Sequence, residues 1–208
     1  MTSIWEETFQ KIPYLWGHAP ADSAVQTAAL FSSHGFRTVL VPGAGYGRNA
    51  RPFVDRGMDV TGLELSETAV DLAGKQPFSM TMMQGDISEL PSLTGTFDGI
   101  YSHALLHLLP PGTHEAFVRH CFQRLNPGGC MVHTTITPEA PMFGRGTKLA
   151  DHYYEASPGV PLYFYTEERL RPLFSEAAQL DISMMLEPNK EHPEKAPFPY
   201  WHITAWKT

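Results

Sequence analysis

Between residues 37 and 136 short β-rich runs alternate with longer amphipathic ones, and that alternation leaves few folds open. "RTVLVP" (37–42) reads as a strand and "RNARPFVDRG" as a helix ending near Gly57. "MDVTGLEL" is a second strand, followed by "ETAVDLAGKQ", a helix with Ser66 as its N-cap and Glu67 in its first turn. "FSMTMMQ" is a weaker third strand, "FDGIYSH" a fourth, "GTHEAFVRHCFQRL" a helix and "GGCMVHTTI" a fifth strand. Strands repeatedly linked through helices argue for a parallel sheet covered on both faces.

The flanks complete a single domain, 1–208. Residues 1–34 read as a helical lid, with "ADSAVQTAALFSS" the best periodic run, ahead of a core at 35–136. A Pro- and Gly-containing insertion, 137–163, precedes a helix near "TEERLRPLFSEA", with Thr166 as cap and Pro172 as a flaw. "LDISMMLE" and "YWHITAWK", joined by a polar, Pro-rich segment, read as an antiparallel hairpin at the sheet edge. The expected architecture is α/β: a doubly wound, mostly parallel, Rossmann-like sheet of seven strands with that hairpin at its C-terminal end.

Sheets of this kind bind ligands beyond the carboxyl ends of their strands. The first strand runs into "VPGAGYGRNA", with Gly43, Gly45 and Gly47 at every second position. Bare main chain there lets a ligand approach closely; a tight turn without a ligand is the plain alternative. A dinucleotide fingerprint is G-x-G-x-x-G, whereas Arg48 stands at its third glycine position, which weighs against NAD. Glu64 closes the second strand, where a carboxylate can accept both hydroxyls of a ribose. Asp86 in "QGDI" follows the third strand and reads either as a partner for an adenine amino group or as an N-cap for "SEL".

Taken in order, "VLVPGAGYGRNA", "VTGLELSETAV", "GDI", "FDGIYSHALLHLL" and "LNPGG" resemble the motifs of class I S-adenosylmethionine-dependent methyltransferases. The "VPG" turn resembles the thiopurine and halide branch, and "GRNA" the tellurite-resistance type. Pro42 departs from the acid many members carry before the first glycine. The resemblance implies S-adenosylmethionine as cofactor, with Gly43, Ala44, Gly45 and Gly47 at its methionine end. It implies Glu64 on the ribose hydroxyls, Leu65 against the adenine, Asp86 and Ile87 at the adenine edge, and Ser102 and His103 near the sulfonium.

Methyl transfer from a sulfonium mainly requires alignment and exclusion of water, and a base only where the acceptor is protonated. His103 and His107 lie one helical turn apart in "SHALLHLL", where they read as candidate catalytic residues, although His107 also reads as a packing residue below the site. Their spacing also suits a metal pair, but no third ligand lies nearby, so no metal is expected. His133 reads as a core histidine or a substrate contact, and Tyr153 and Tyr154 of the insertion as substrate contacts. Among the N-terminal aromatics, Trp5 and Phe9 read as anchors. Tyr14, on the substrate side, and Trp16, on the cofactor side, read as a lid drawn to the sulfonium by cation–π attraction.

A net charge of -7 and the lack of a basic tract argue against nucleic acid or an anionic membrane as partner. Cys121 and Cys130 read as reduced core thiols, and no leader or membrane span is evident, which places the chain in the cytoplasm as a monomer or homodimer. The expectation is a methyltransferase for a small-molecule acceptor. A silent S-adenosylmethionine-binding sensor or subunit, and an NAD-dependent oxidoreductase, are the alternatives.

Overall fold

The computed structural model describes residues 4–208. Two helices, α1 (Ile4–Lys11) and α2 (Asp22–Ser33), precede β1 (Thr38–Pro42), α3 (Arg51–Val54), β2 (Asp59–Glu64), α4 (Glu67–Ala73), β3 (Thr81–Gln84) and β4 (Phe97–His103). Then come α5 (His114–Arg124), β5 (Leu125–Ile136), β6 (Thr147–Ala150), β7 (Tyr153–Ser157), β8 (Val160–Tyr163), α6 (Glu167–Leu170), β9 (Gln179–Glu187) and β10 (Phe198–Trp206). The main sheet has seven strands in the order β3-β2-β1-β4-β5-β10-β9. Its first five strands pair in parallel, and β10 runs antiparallel to both its neighbours, β5 and β9. The order reverses between β1 and β4, which opens the crevice where such sheets take ligands.

Alternation along each strand divides the core. Leu40, Ile100, Met131 and Ile203 face Phe117, Phe122, Leu170 and Phe174, on the side of α5 and α6. Val39, Val41, Tyr101, Cys130 and Val132 face Phe31 and Phe53, on the side of α2 and α3. Burying a side chain such as Phe31 stabilises by about 1.5–3 kcal/mol. Gly99 lets α2 sit this close, because a Cβ there would fall 2.3 Å from the Phe31 ring. Both cysteines are buried and unpaired.

Several elements differ from the sequence expectation. The insertion contains a three-stranded antiparallel sheet, β6-β7-β8, whose short strands carry no clean alternation in sequence. The helix after Gly47 narrows to four residues, and the helix from Thr166 turns 3₁₀ at Arg171–Phe174, where Pro172 cannot donate to the α pattern. Thr166 precedes α6 without a side-chain cap bond. "YWHITAWK" lies inside the sheet, between β5 and β9, so β9 rather than β10 is the exposed edge. Among the described residues no helix is long and apolar enough to cross a membrane.

Candidate functional site

Gly43, Gly45 and Gly47 all have positive φ, at 65°, 54° and 83°, a conformation that side chains with a Cβ resist. The reason for these glycines therefore differs in part from the expected one. A Cβ on Gly43 would meet Leu105 at 3.0 Å, and one on Gly47 would meet Met80 Sδ at 3.0 Å. Backbone shape and neighbouring side chains require the glycines, whatever else lies on the turn. The turn is held by Gly43 N–H and Ala44 N–H donating to Leu63 O, which brings the ends of β1 and β2 together.

Glu64 is the polar centre of this crevice. It is 7% exposed, and its carboxylate accepts Gly45 N–H at 2.8 Å and Ser66 N–H at 2.9 Å. Burial raises its pKa, opposed by those backbone bonds. A carboxylate offers about four acceptor sites, and the backbone bonds leave part of that capacity for ligand hydroxyls. Leu65 and Met83, beside it on the strand tips, are exposed apolar surface at 43% and 39%. The combination fits a nucleoside: acceptors for a vicinal diol next to apolar side chains for a flat ring.

The N-terminal segment is strapped over the turn. Tyr46 OH donates to Gly17 O and accepts Trp16 N–H, Arg48 donates to Ala19 O, and Asn49 accepts Ala21 N–H. Tyr46 is ringed by Phe9, Tyr14 and Trp16 at centroid distances of 6.0, 5.2 and 6.5 Å. Phe9 is buried, while Trp16 is 42% exposed. At the end of β4, His103 Nδ1 lies 2.9 Å from Thr134 Oγ1 and 3.1 Å from Ser23 Oγ. Burial, assisted by the Arg48 guanidinium and His107, holds the His103 imidazole down to about 3, so it is neutral at pH 7. The Tyr200 ring lies 5.3 Å from His103 and 6.4 Å from His107.

A family model described as "Methyltransferase domain" matches residues 39–129, which span β1 to the start of β5. Malonyl-[acyl-carrier protein] O-methyltransferase of Enterobacter lignolyticus is 28% identical over 118 residues, 57% of this chain and 46% of that protein. The 1,6-didemethyltoxoflavin-N1-methyltransferase of Burkholderia thailandensis, solved with S-adenosylhomocysteine, superposes with a TM-score of 0.67. It is 22% identical, over 98% of this chain and 84% of that one. A structure titled for conversion of a disulfide bond into a thioacetal group during echinomycin biosynthesis gives 0.72 at 21% identity, over 100% and 93%. Residues 39–129 thus resemble a methyltransferase domain, and the chain shares the fold of the two solved structures. It spans less than half the length of the curated relatives it matches.

Within this fold, the expected residues divide into those at the crevice and those behind it. Gly43, Ala44, Gly45, Gly47, Glu64 and Leu65 sit together at the tips of β1 and β2. Asp86 takes the capping alternative: its Oδ1 accepts Ser88 N–H, and Glu89 returns a bond to Asp86 N–H. It stays exposed beside half-buried Ile87. The placement of Ser102 corrects the expectation, and His133 takes its core alternative. Ser102 and His133 are fully buried against each other, Oγ to Nδ1 at 3.0 Å, with Phe117 and Phe174 on the imidazole. Both point into the α5 side of the core, because β4 and β5 residues alternate and His103 and Thr134 take the open side.

His103 and His107 also do not share a helix face. The strand ends at His103, Ala104 takes φ 56°, and only Leu106–Leu108 turn, as 3₁₀. His107 is buried, with Nδ1 3.3 Å from Thr135 Oγ1 and within reach of Ile136 N–H, and burial holds it down to about 3. Tyr154 packs on Phe143 and Phe164 in the cluster that also holds Tyr200, whereas Tyr153 turns the other way toward Tyr163. Among the described residues no three metal-ligating side chains converge. Sequence reasoning missed Tyr46, Arg48, Asn49 and Tyr200. The "GYGRN" run was a signal for the first three; nothing local marks Tyr200, which cross-strand pairing with Ile136 brings to the site.

Proposed function

We propose that this protein moves a methyl group from S-adenosylmethionine to a small-molecule acceptor by in-line displacement. The observation that carries the reading is the Glu64 carboxylate, pinned by Gly45 and Ser66 N–H groups at the crevice with acceptor capacity to spare. S-Adenosylmethionine, when bound, supplies a methyl group already activated on a sulfonium. Glu64 would hold the ribose hydroxyls, Leu65 and Met83 would flank the adenine, and the free oxygen of Asp86 would face its amino group. Trp16 and Tyr14 offer aromatic surface that attracts a cation.

Neutral His103 and His107 add no positive charge that would oppose a sulfonium. His103, with Nδ1 fixed by two hydroxyls, presents Nε2 as its remaining polar atom. The chain's contribution is then orientation and exclusion of water, effects that reach about 7–11 kcal/mol in favourable systems. Small acceptors are supported by the acidic net charge and by the aromatic strap over the crevice. The direct test is calorimetric titration with S-adenosylhomocysteine, followed by a screen of thiols, amines, phenols and acids for release of that product. Absence of binding at high micromolar concentration overturns the reading.

A further inference from the structure

Only two arginines among the described residues are half-buried, Arg48 and Arg124. Arg124 is hooked onto Leu93 O and Gly95 O just before β5 begins, far from the crevice. Arg48 stands at the crevice and makes one hydrogen bond, Nη1 to Ala19 O at 2.7 Å. No carboxylate among the described residues lies within ion-pair distance of it. A guanidinium carries five donors in a flat fork, and removing such a charge from water without an anionic partner is costly.

Its surroundings have unused polar capacity of the same kind. The loop that Arg48 holds runs directly into α2, whose Ser23 touches His103. The Arg48 charge acts on Tyr101, His103 and Tyr200, and on the two tyrosines the Glu187 carboxylate acts more strongly in the opposite sense. The Tyr200 hydroxyl and His103 Nε2 have no hydrogen-bond partner among the described residues, and their rings are 5.3 Å apart. Thr134 Oγ1 accepts Ala104 N–H, leaving its own proton to donate to His103 Nδ1, an arrangement that puts the ring proton on Nε2. Glu187, a buried carboxylate, accepts Asp22 N–H at 2.6 Å and Ser23 N–H at 3.2 Å. The partial positive charge of the α2 N-terminus offsets it. What is left open is a set of donors, the Arg48 guanidinium among them.

We propose that Arg48, the Tyr200 hydroxyl and His103 Nε2–H take a carboxylate carried by the methyl acceptor, so that the acceptors are small organic acids. This rests on the methyl-transfer reading and narrows it. Arg48 has a second, structural task in holding Ala19, so the test must separate recognition from folding.

Protein saturated with S-adenosylhomocysteine is titrated calorimetrically with benzoate, crotonate and glutarate, each against its amide. At least one acid is expected to bind about tenfold or more tighter than its amide, as a charge-assisted pair requires. Arg48→Gln is expected to abolish that preference while amide and S-adenosylhomocysteine binding persist, and Arg48→Lys to retain part of it. Tyr200→Phe, which leaves the strap untouched, is expected to weaken the acid about three- to tenfold and spare the amide; it carries the test if Arg48→Gln does not fold. Equal binding of acid and amide by the wild type, or an Arg48→Gln loss shared equally by both, overturns the proposal while the cofactor site stands. Failure of the wild type to bind S-adenosylhomocysteine overturns the methyl-transfer reading beneath it, and this inference with it.

Discussion

Ser66 Oγ donates to Glu6 Oε2 at 2.6 Å, joining the first helix to the N-cap of α4 across 60 residues of chain. Thr68 adds its hydroxyl at 2.6 Å and its N–H at 3.2 Å. The same Ser66 gives its backbone N–H to Glu64, so the helix that covers the crevice is tied to the carboxylate that forms it.

Those bonds, the Ser66 hydroxyl foremost, hold the Glu6 carboxyl down to about 2 from an ordinary 4.5. A depressed folded pKa means the stabilisation is complete above about pH 4.5 and is lost as pH falls toward 2. Glu6→Gln is therefore expected to lower the melting temperature at pH 7, and the gap to wild type to close between pH 4.5 and 2. Melting curves of both proteins across that range check it; a gap independent of pH would show that Glu6 acts through packing alone.

Glu64 has the opposite shift. Burial raises its folded pKa, so ionised Glu64 is a cost to the fold at neutral pH that protonation relieves. A diol needs the ionised acceptor, so S-adenosylhomocysteine affinity is expected to weaken on acidification at a higher pH than an ordinary glutamate would produce. Glu64→Ala is expected to weaken that affinity by about ten- to a hundredfold, consistent with loss of two charge-assisted hydrogen bonds. Calorimetry between pH 4.5 and 7.5 measures both.

The parallel core was legible because its signals are local: β-branched strands, the Ser66 cap and the glycine turn each sit within a few residues. The position of Glu64 was legible for the same reason, as the last residue of a strand. Ser102 was misplaced, and His133 left between core and site, because a one-residue step along a strand exchanges the open side for the core, and sequence alone does not set that phase at a strand end. Arg48 and Tyr200 were missed because their significance lies in distant partners, the Ala19 carbonyl and the neighbouring strand. The insertion sheet was hidden for want of periodicity, its strands being four or five residues long and half exposed.

Ala104 occupies left-handed backbone at φ 56°, directly after His103. Its N–H bonds to Thr134 O and Oγ1 keep it there, which turns Leu105 onto Gly43. That conformation costs an L-residue about 1–2 kcal/mol. Ala104→Gly relieves it but adds about 0.5–1 kcal/mol of chain entropy, so stability is expected to be unchanged or slightly higher. Ala104→Val should lose more than about 1 kcal/mol, since branching at Cβ worsens the same clash. Urea midpoints of the two variants decide it; equal losses would mean that position 104 is limited by space rather than by backbone conformation.

Glu187 ends β9 and caps α2 from 165 residues away, accepting Asp22 N–H while Ser23 N–H meets its second oxygen. The helix needs this help because Ala21, its own N-cap, has no side-chain acceptor. Truncation leaves the buried Ser23 N–H and the part-buried Asp22 N–H unsatisfied, at about 1–3 kcal/mol each before any water enters. Glu187→Ala is expected to cost about 2–3 kcal/mol in urea denaturation, and Glu187→Gln clearly less, because the amide oxygen still accepts one bond. Since Ser23 also touches His103, loosening it should move the imidazole. The His103 ring resonances are expected to shift in Glu187→Ala and to stay close to wild type in Glu187→Gln. Loss of stability with unmoved His103 signals would confine Glu187 to capping α2.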